Sequence, residues 1–285
     1  GDLSGTREYD TKEYETGGFV ENTGSAGVLT SGEVNDFRKW DMWNDFAENE
    51  LKEYSKMWEI KPEKRFTVQV VNKAQGAVVD ADVDLIVSKR ILWSAKTDNT
   101  GKAELWAEIL NNDDIDTENL MLRVTYKGKT TNLKDITEFK DGINIIQLNE
   151  ACETPKNVDI MFAVDATGSM GDEINYLKAE VTDIIGKIKE KFPRISFRTG
   201  SIFYRDTRDQ YLIRKQDLTD DIRATSHFIS QQQAQGGGDY PEAVENALEA
   251  ITNEINWSEN AIARICFLIL DAPPHNNPIV REKIR

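Results

Sequence analysis

The sequence predicts a multidomain α and β protein: an N-terminal helix and a β-sandwich, then an α/β doubly wound, Rossmann-like domain. Three observations carry this. Apolar residues recur at steps of three and four from Val34 to Trp58. They alternate at steps of two in short runs between residues 65 and 150. From Val158 onward they gather into continuous runs separated by helical patterns. These periods belong, in turn, to an amphipathic helix, to half-buried antiparallel strands, and to buried parallel strands wrapped by helices.

Residues 1–32 are polar and scattered with Gly, Ser and Thr, a composition that predicts a flexible or extended arm. The helix falls within residues 33–62. Val34, Phe37, Trp40, Trp43, Phe46, Ala47, Leu51, Tyr54 and Trp58 form its stripe, and Ser31 stands at N-cap distance from its start. An aromatic stripe at this spacing is expected to pack on the following domain rather than to offer a carbohydrate or partner surface. Pro62 ends the helix. Residues 63–150 then read as six or seven short strands. Phe66, Val68 and Val70 mark the first, Val83, Leu85 and Val87 another, and Asn72–Gly76 and Asp98–Gly101 supply turns. The acidic loop Asn111–Asp116 lacks the spacing of an EF-hand and reads as solvated. Residues 151–157, with Pro155, form a linker, and residues 158–285 form the α/β domain. Within it, helices are expected from Ile174 to Ile188, Ile222 to Gln233 and Pro241 to Ile255. Strands are expected at Ile195–Tyr204, Tyr211–Arg214 and Ala263–Leu270.

Composition narrows the functional classes. At 285 residues the chain has room for about two domains. Its formal charge of −15 argues against nucleic acid, because no basic patch is present to neutralise phosphates. No run of about 18 apolar residues exists, so no membrane-spanning segment is expected. Lipid or envelope attachment upstream of Gly1 stays open. Two cysteines, Cys152 and Cys266, and two histidines, His227 and His275, lie far apart, which disfavours a zinc site. Cys266 lies in an apolar run and reads as a buried small side chain, with a disulfide to Cys152 left open.

The most informative segment is Val158–Met170. An apolar run ends in Asp165, and Thr167 and Ser169 follow at steps of two. In an open α/β sheet such a turn, at the C-terminal end of a strand, is where ligands bind. One carboxylate and two hydroxyls are hard oxygen donors of the kind Mg²⁺ takes, while the plainer alternative is a turn that caps the next helix. Two further loops stand at comparable places. Gln235–Ala243 is glycine-rich and opens a helix, with Asp239 as its best oxygen donor, either as a ligand or as support for the helix N-terminus. Asp271 ends the apolar run at Leu270.

The pattern Asp165-x-Thr167-x-Ser169 resembles the metal-ion-dependent adhesion site of von Willebrand factor A domains. Asp239 and Asp271 stand at the positions of that family's second and third metal loops, although the Thr usual in the second loop is absent here. The resemblance implies a binding protein rather than an enzyme. Mg²⁺ would be held by Asp165, Thr167, Ser169 and Asp271, with Asp239 as a ligand directly or through water, and Mn²⁺ or Ca²⁺ would also fit. A protein partner's carboxylate would complete the coordination. It also implies six strands. About four precede Arg285, so the domain is expected to be incomplete at its C-terminal end. Gly76–Val83 and Thr97–Ala103 are similar to phrases of carboxypeptidase regulatory-like, transthyretin-type β-sandwiches. That pairing implies a bacterial secreted or surface protein, presenting its site from the cell envelope. Two alternatives stand beside this reading. One is a metal-assisted hydrolase with Asp206 or Asp239 as base, and the other an intracellular assembly scaffold acting with an ATPase.

Overall fold

Alternation of apolar and polar side chains makes a strand by giving it one face to bury. In a computed structural model of the chain, the runs between 65 and 148 become seven strands: β1 (Arg65–Asn72), β2 (Asp82–Val87), β3 (Arg90–Lys96), β4 (Lys102–Trp106), β5 (Leu120–Tyr126), β6 (Lys129–Leu133) and β7 (Asn144–Leu148). They form two sheets, ordered β4-β1-β7 and β3-β2-β5-β6. One apolar cluster joins them, with Phe66, Val68 and Leu105 contributed by the first sheet and Val83, Leu85 and Leu122 by the second. All pairings are antiparallel except β1 with β7, which run parallel from Val68 opposite Asn144. Asn144 fixes that register: its side-chain amide donates to the carbonyls of Thr67 and Thr137 at 3.2 and 2.8 Å.

The structure describes residues 39–40, 49, 52–62, 64–110, 115, 119–149, 154–238 and 240–284. The expected arm at 1–32, most of the aromatic helix, most of the acidic loop, Cys152 and Asp239 lie outside them. Of the helix, α1 (Lys52–Trp58) is described and buries none of its residues. Trp40 is buried, its ring 5.1 Å from that of Trp106 and 4.7 Å below the Arg65 guanidinium. Among the described residues no helix is long and apolar enough to cross a membrane.

The remainder is mixed α/β: β8 (Asn157–Asp165), α2 (Gly171–Lys191), β9 (Ser196–Tyr204), β10 (Ile213–Thr219), α3 (Ile222–Ser230), α4 (Val244–Asn253), β11 (Ala263–Ile269) and α5 (Pro278–Ile284). The sheet order is β10-β9-β8-β11, with β9, β8 and β11 parallel and β10 antiparallel at one edge. β8 carries the apolar run Ile160–Val164 because both of its faces are covered. Ile160, Phe162 and Val164 meet Ile174, Val181 and Ile185 of α2. Met161 and Ala163 meet Ala250 and Ile251 of α4. Gly200 in β9 is required by packing. A Cβ there would lie 2.8 Å from Met161 Cε and 2.9 Å from the Gln216 carbonyl, where β10 bulges.

Two sequence expectations are corrected. α4 starts at Val244 rather than at Pro241. Residue 242 is instead held extended, its N–H donating to the Pro273 carbonyl at 3.0 Å in a parallel bridge with Pro274. The apolar run of β11 predicts a buried strand with Cys266 inside it, yet Ile265, Cys266, Phe267 and Leu268 are exposed, and Cys266 is a free thiol. Among the described residues β11 pairs only with β8, so an apolar run here occupies a sheet edge.

Candidate functional site

The chain leaves β8 through α2 to β9 on one side and later returns to β11 on the other. The C-terminal end of β8 is therefore the point where strand order reverses, and a crevice opens there. Asp165 is the last residue of β8. Its Oδ1 accepts from both the backbone N–H and the hydroxyl of Thr167, each at 2.8 Å, which closes a tight Asx-type turn. Ser169 follows on a single 3₁₀ turn and is exposed, whereas Thr167 is buried. The turn is held from behind. Ala166 N–H donates to the Tyr204 carbonyl at 2.8 Å, and the Ala166 carbonyl accepts from Gln235 N–H and from Arg205 Nε.

The glycine-rich loop lies directly over this turn. Gly168 N–H donates to the Gly236 carbonyl at 3.1 Å. Gly236 and Gly237 have φ of +88° and +74°, and the space beside each is taken. A Cβ at Gly236 would collide with the Asp209 carboxylate, which accepts from Gly237 N–H at 2.9 Å and from Asp206 N–H at 3.2 Å. A Cβ at Gly237 would stand 2.9 Å from Glu242 Oε1 and 3.1 Å from Thr167 Cβ. Thr167, Ser169, Gly237, Tyr240 and Glu242 line a cavity of about 310 Å³ between the two loops.

The electrostatics of this crevice are acidic. Asp165 is fully buried, and its Oδ2 has no hydrogen-bond partner. Burial pushes its carboxyl above the usual carboxylate range. The Thr167 hydrogen bonds oppose that shift, and the charges of Asp271 and Asp209 add to it. The Tyr204 hydroxyl, also buried without a partner, is raised far above its ordinary value by burial and then by Asp165, Glu242, Asp271 and Glu245. Asp206 is nearly buried, and His275 Nε2 stands 3.4 Å from its Oδ1.

The structure thus brings Asp165, Thr167 and Ser169 together, with Asp271 exposed at the end of β11 and near enough for its charge to act on Asp165. Asp239 lies outside the described residues. Asp209, Glu242 and Tyr204 escaped the sequence reading. Asp209 sits in a turn three residues beyond Asp206, and Glu242 falls inside the helix that the sequence predicts from Pro241 to Ile255. Among the described residues no three His, Cys, Asp or Glu side chains cluster closely enough to hold an ion by themselves. The donors that fit a cation are accordingly mixed: the orphaned Asp165 Oδ2, two hydroxyls and a neighbouring carboxylate. All are hard oxygens suited to Mg²⁺.

Comparison with known proteins bears on this region. Residues 159–284 match the von Willebrand factor A domain family, so such a domain is present there. The alpha-protein kinase vwkA of Dictyostelium discoideum is 27% identical over 229 residues, covering 71% of this chain and 36% of the kinase. A protein of Acanthamoeba polyphaga mimivirus, ariadne-like RING finger by its description, is 30% identical over 125 residues, covering 44% of this chain and 12% of its own. The chain therefore spans only a minor part of either relative. Among solved structures, the pilus adhesin RrgA of Streptococcus pneumoniae is 10% identical, with 74% of this chain and 42% of the adhesin aligned. Its TM-score is 0.23, too low a geometric likeness for the adhesin's role to bear on this chain.

Proposed function

We propose that this chain is a divalent-metal-dependent binding protein, not an enzyme, in which the Asp165 loop holds Mg²⁺ and an acidic group of a protein partner completes the site. The observation that carries the reading is Asp165 Oδ2, a fully buried oxygen without a partner on the carboxylate that accepts the Thr167 hydroxyl, next to the cavity lined by Thr167 and Ser169. A buried charge in this state is costly, and a cation removes the cost. The von Willebrand factor A domain at 159–284 supports a role in binding another protein. Asp165, Thr167 and Ser169 would hold the ion, with Asp271 direct or through water and Asp239 as a further ligand from the glycine-rich loop. Bound there, the ion supplies a Lewis-acidic position for a carboxylate oxygen. Hydroxyl donors are neutral, so they leave much of the ionic charge for the partner. In this reading the β strands at 65–148 serve as a spacer, and the site is presented from a cell envelope or outer surface.

Calorimetric titration of Mg²⁺ or Mn²⁺ tests the core of the proposal. Wild type should bind one ion and Asp165→Ala none. Equal heats from the two proteins would remove the metal from the account. One observation favours a second reading, metal-assisted hydrolysis: His275 beside the nearly buried Asp206 is a pair able to move a proton. Turnover of a phosphoester or peptide that is lost in both Asp165→Ala and His275→Gln would replace binding by catalysis.

A further inference from the structure

We infer that Glu242 is an oxygen ligand of the same site, direct or through one water, so that the glycine-rich loop delivers a carboxylate where the family pattern has a hydroxyl. This rests on the metal reading above and adds a donor to it. Four observations converge. Glu242 is 4% exposed, and its Oε1 and the Thr167 side chain both lie within about 3 Å of one point, the space above Gly237. Glu242, Thr167 and Ser169 line one cavity. The backbone of residue 242 is bridged to Pro273 and Pro274, two and three residues after Asp271, so the second and third loops are tied together at this residue. Independently, the buried Asp165 Oδ2 lacks any partner, although its carboxylate and that of Glu242 both bear on the Tyr204 hydroxyl. Among the described residues the carboxylates do not gather tightly enough to hold an ion unaided. Glu242 therefore contributes beside the two hydroxyls and not in their place.

The geometry also explains two glycines. Gly237 leaves the room through which the Glu242 carboxylate approaches Thr167, and a side chain at 237 would part them. Gly236 leaves room for Asp209, which clamps the loop through the Gly237 N–H. A site with a second firm anion binds its ion more tightly and leaves less of the ion's charge for a partner.

The test is Mn²⁺ titration of the whole chain by calorimetry, with melting temperatures in EDTA, for wild type, Asp165→Ala, Glu242→Gln and Glu242→Asp. Wild type should bind, Asp165→Ala should not, and Glu242→Gln should bind at least tenfold more weakly, with Glu242→Asp recovering part of the loss. In EDTA, Glu242→Gln should melt at or above wild type, because a buried charge has been removed without changing shape. Wild-type affinity in Glu242→Gln, with binding still lost in Asp165→Ala, would overturn this inference and leave the metal site standing. Weaker binding with an equally lowered melting temperature in both Glu242 variants would make Glu242 a support of the fold and also overturn it. Absence of binding by wild type would end the metal reading itself.

Discussion

At the scale of single residues, the tension lies within one carboxylate. Oδ1 of Asp165 has two donors from Thr167 while Oδ2 has none, and Asp271 and Asp209 add like charge nearby. Its folded pKa is raised, so the native state holds the proton more tightly than the unfolded chain does. Metal-free stability therefore falls as pH rises from the ordinary carboxylate range through the raised value. Asp165→Asn keeps the shape and the acceptor for Thr167 but removes the charge. In EDTA at pH 7 it should melt higher than wild type, and Mg²⁺ should no longer raise its melting temperature. A lower melting temperature in EDTA would mean that the charge is already balanced. Asp165, Thr167 and Ser169 could be read from the sequence because they are neighbours in the chain and one strand end positions all three. Asp209 and Glu242 could not. They reach the crevice from distant loops, and nothing local separates them from ordinary turn and helix-start residues.

At the scale of elements, periodicity served wherever an element's surroundings were regular. The buried run 160–164 lies between two strands and under two helices, as its continuous apolarity requires. The equally apolar run of β11 misled, because a sequence does not reveal whether both neighbours of a strand are present. The start of α4 misled for a related reason: Pro241 suits a first helical turn, but the bridge to Pro273 and Pro274 takes residue 242 out of the helix. At the opposite end of β8, Asp159 is fully buried and accepts two bonds from Arg198, at 2.9 and 2.8 Å, and two from Ser258. Burial alone would raise its carboxyl, but the Arg198 and Ser258 bonds prevail and hold it below its ordinary value. Its stabilisation is thus complete at neutral pH and is lost as pH falls below the ordinary carboxylate value through the lowered one. Asp159→Asn should cost about 3 kcal/mol at pH 7, the scale for removing one partner of a buried pair. Its melting temperature should also depend less steeply on pH between about 4 and 2 than that of wild type. Parallel curves for the two proteins would place the acid sensitivity elsewhere.

At the scale of the whole molecule, residues 36–285 form one compact unit, and a named contact shows how its strand-rich and α/β parts are joined. Asp80, held at φ +62° just before β2, accepts from Arg264 Nη1 and Nη2 at 2.8 and 3.2 Å and from Ala261 N–H at 3.2 Å. Arg264 is braced in turn by the carbonyls of Ser258 and Glu259. A bidentate guanidinium–carboxylate pair fixes orientation as well as distance. This one lies on β11, whose far end leads to Asp271, so the strand that carries the third loop of the site is anchored to the other half of the unit. A second link runs from Arg281 of α5 to the Met57 carbonyl of α1 at 3.0 Å. If the Asp80 pair holds the halves in register, Asp80→Ala should cost about 2 kcal/mol, the scale for charged hydrogen bonds. Its thermal melt should broaden or divide, and protease should cut sooner near Pro155. Asp80→Ala and Arg264→Ala should then be far from additive, with a coupling of at least about 1 kcal/mol in the double-mutant cycle. Additive costs and a single sharp transition in Asp80→Ala would show that the halves are held by other contacts and that β11 needs no anchor.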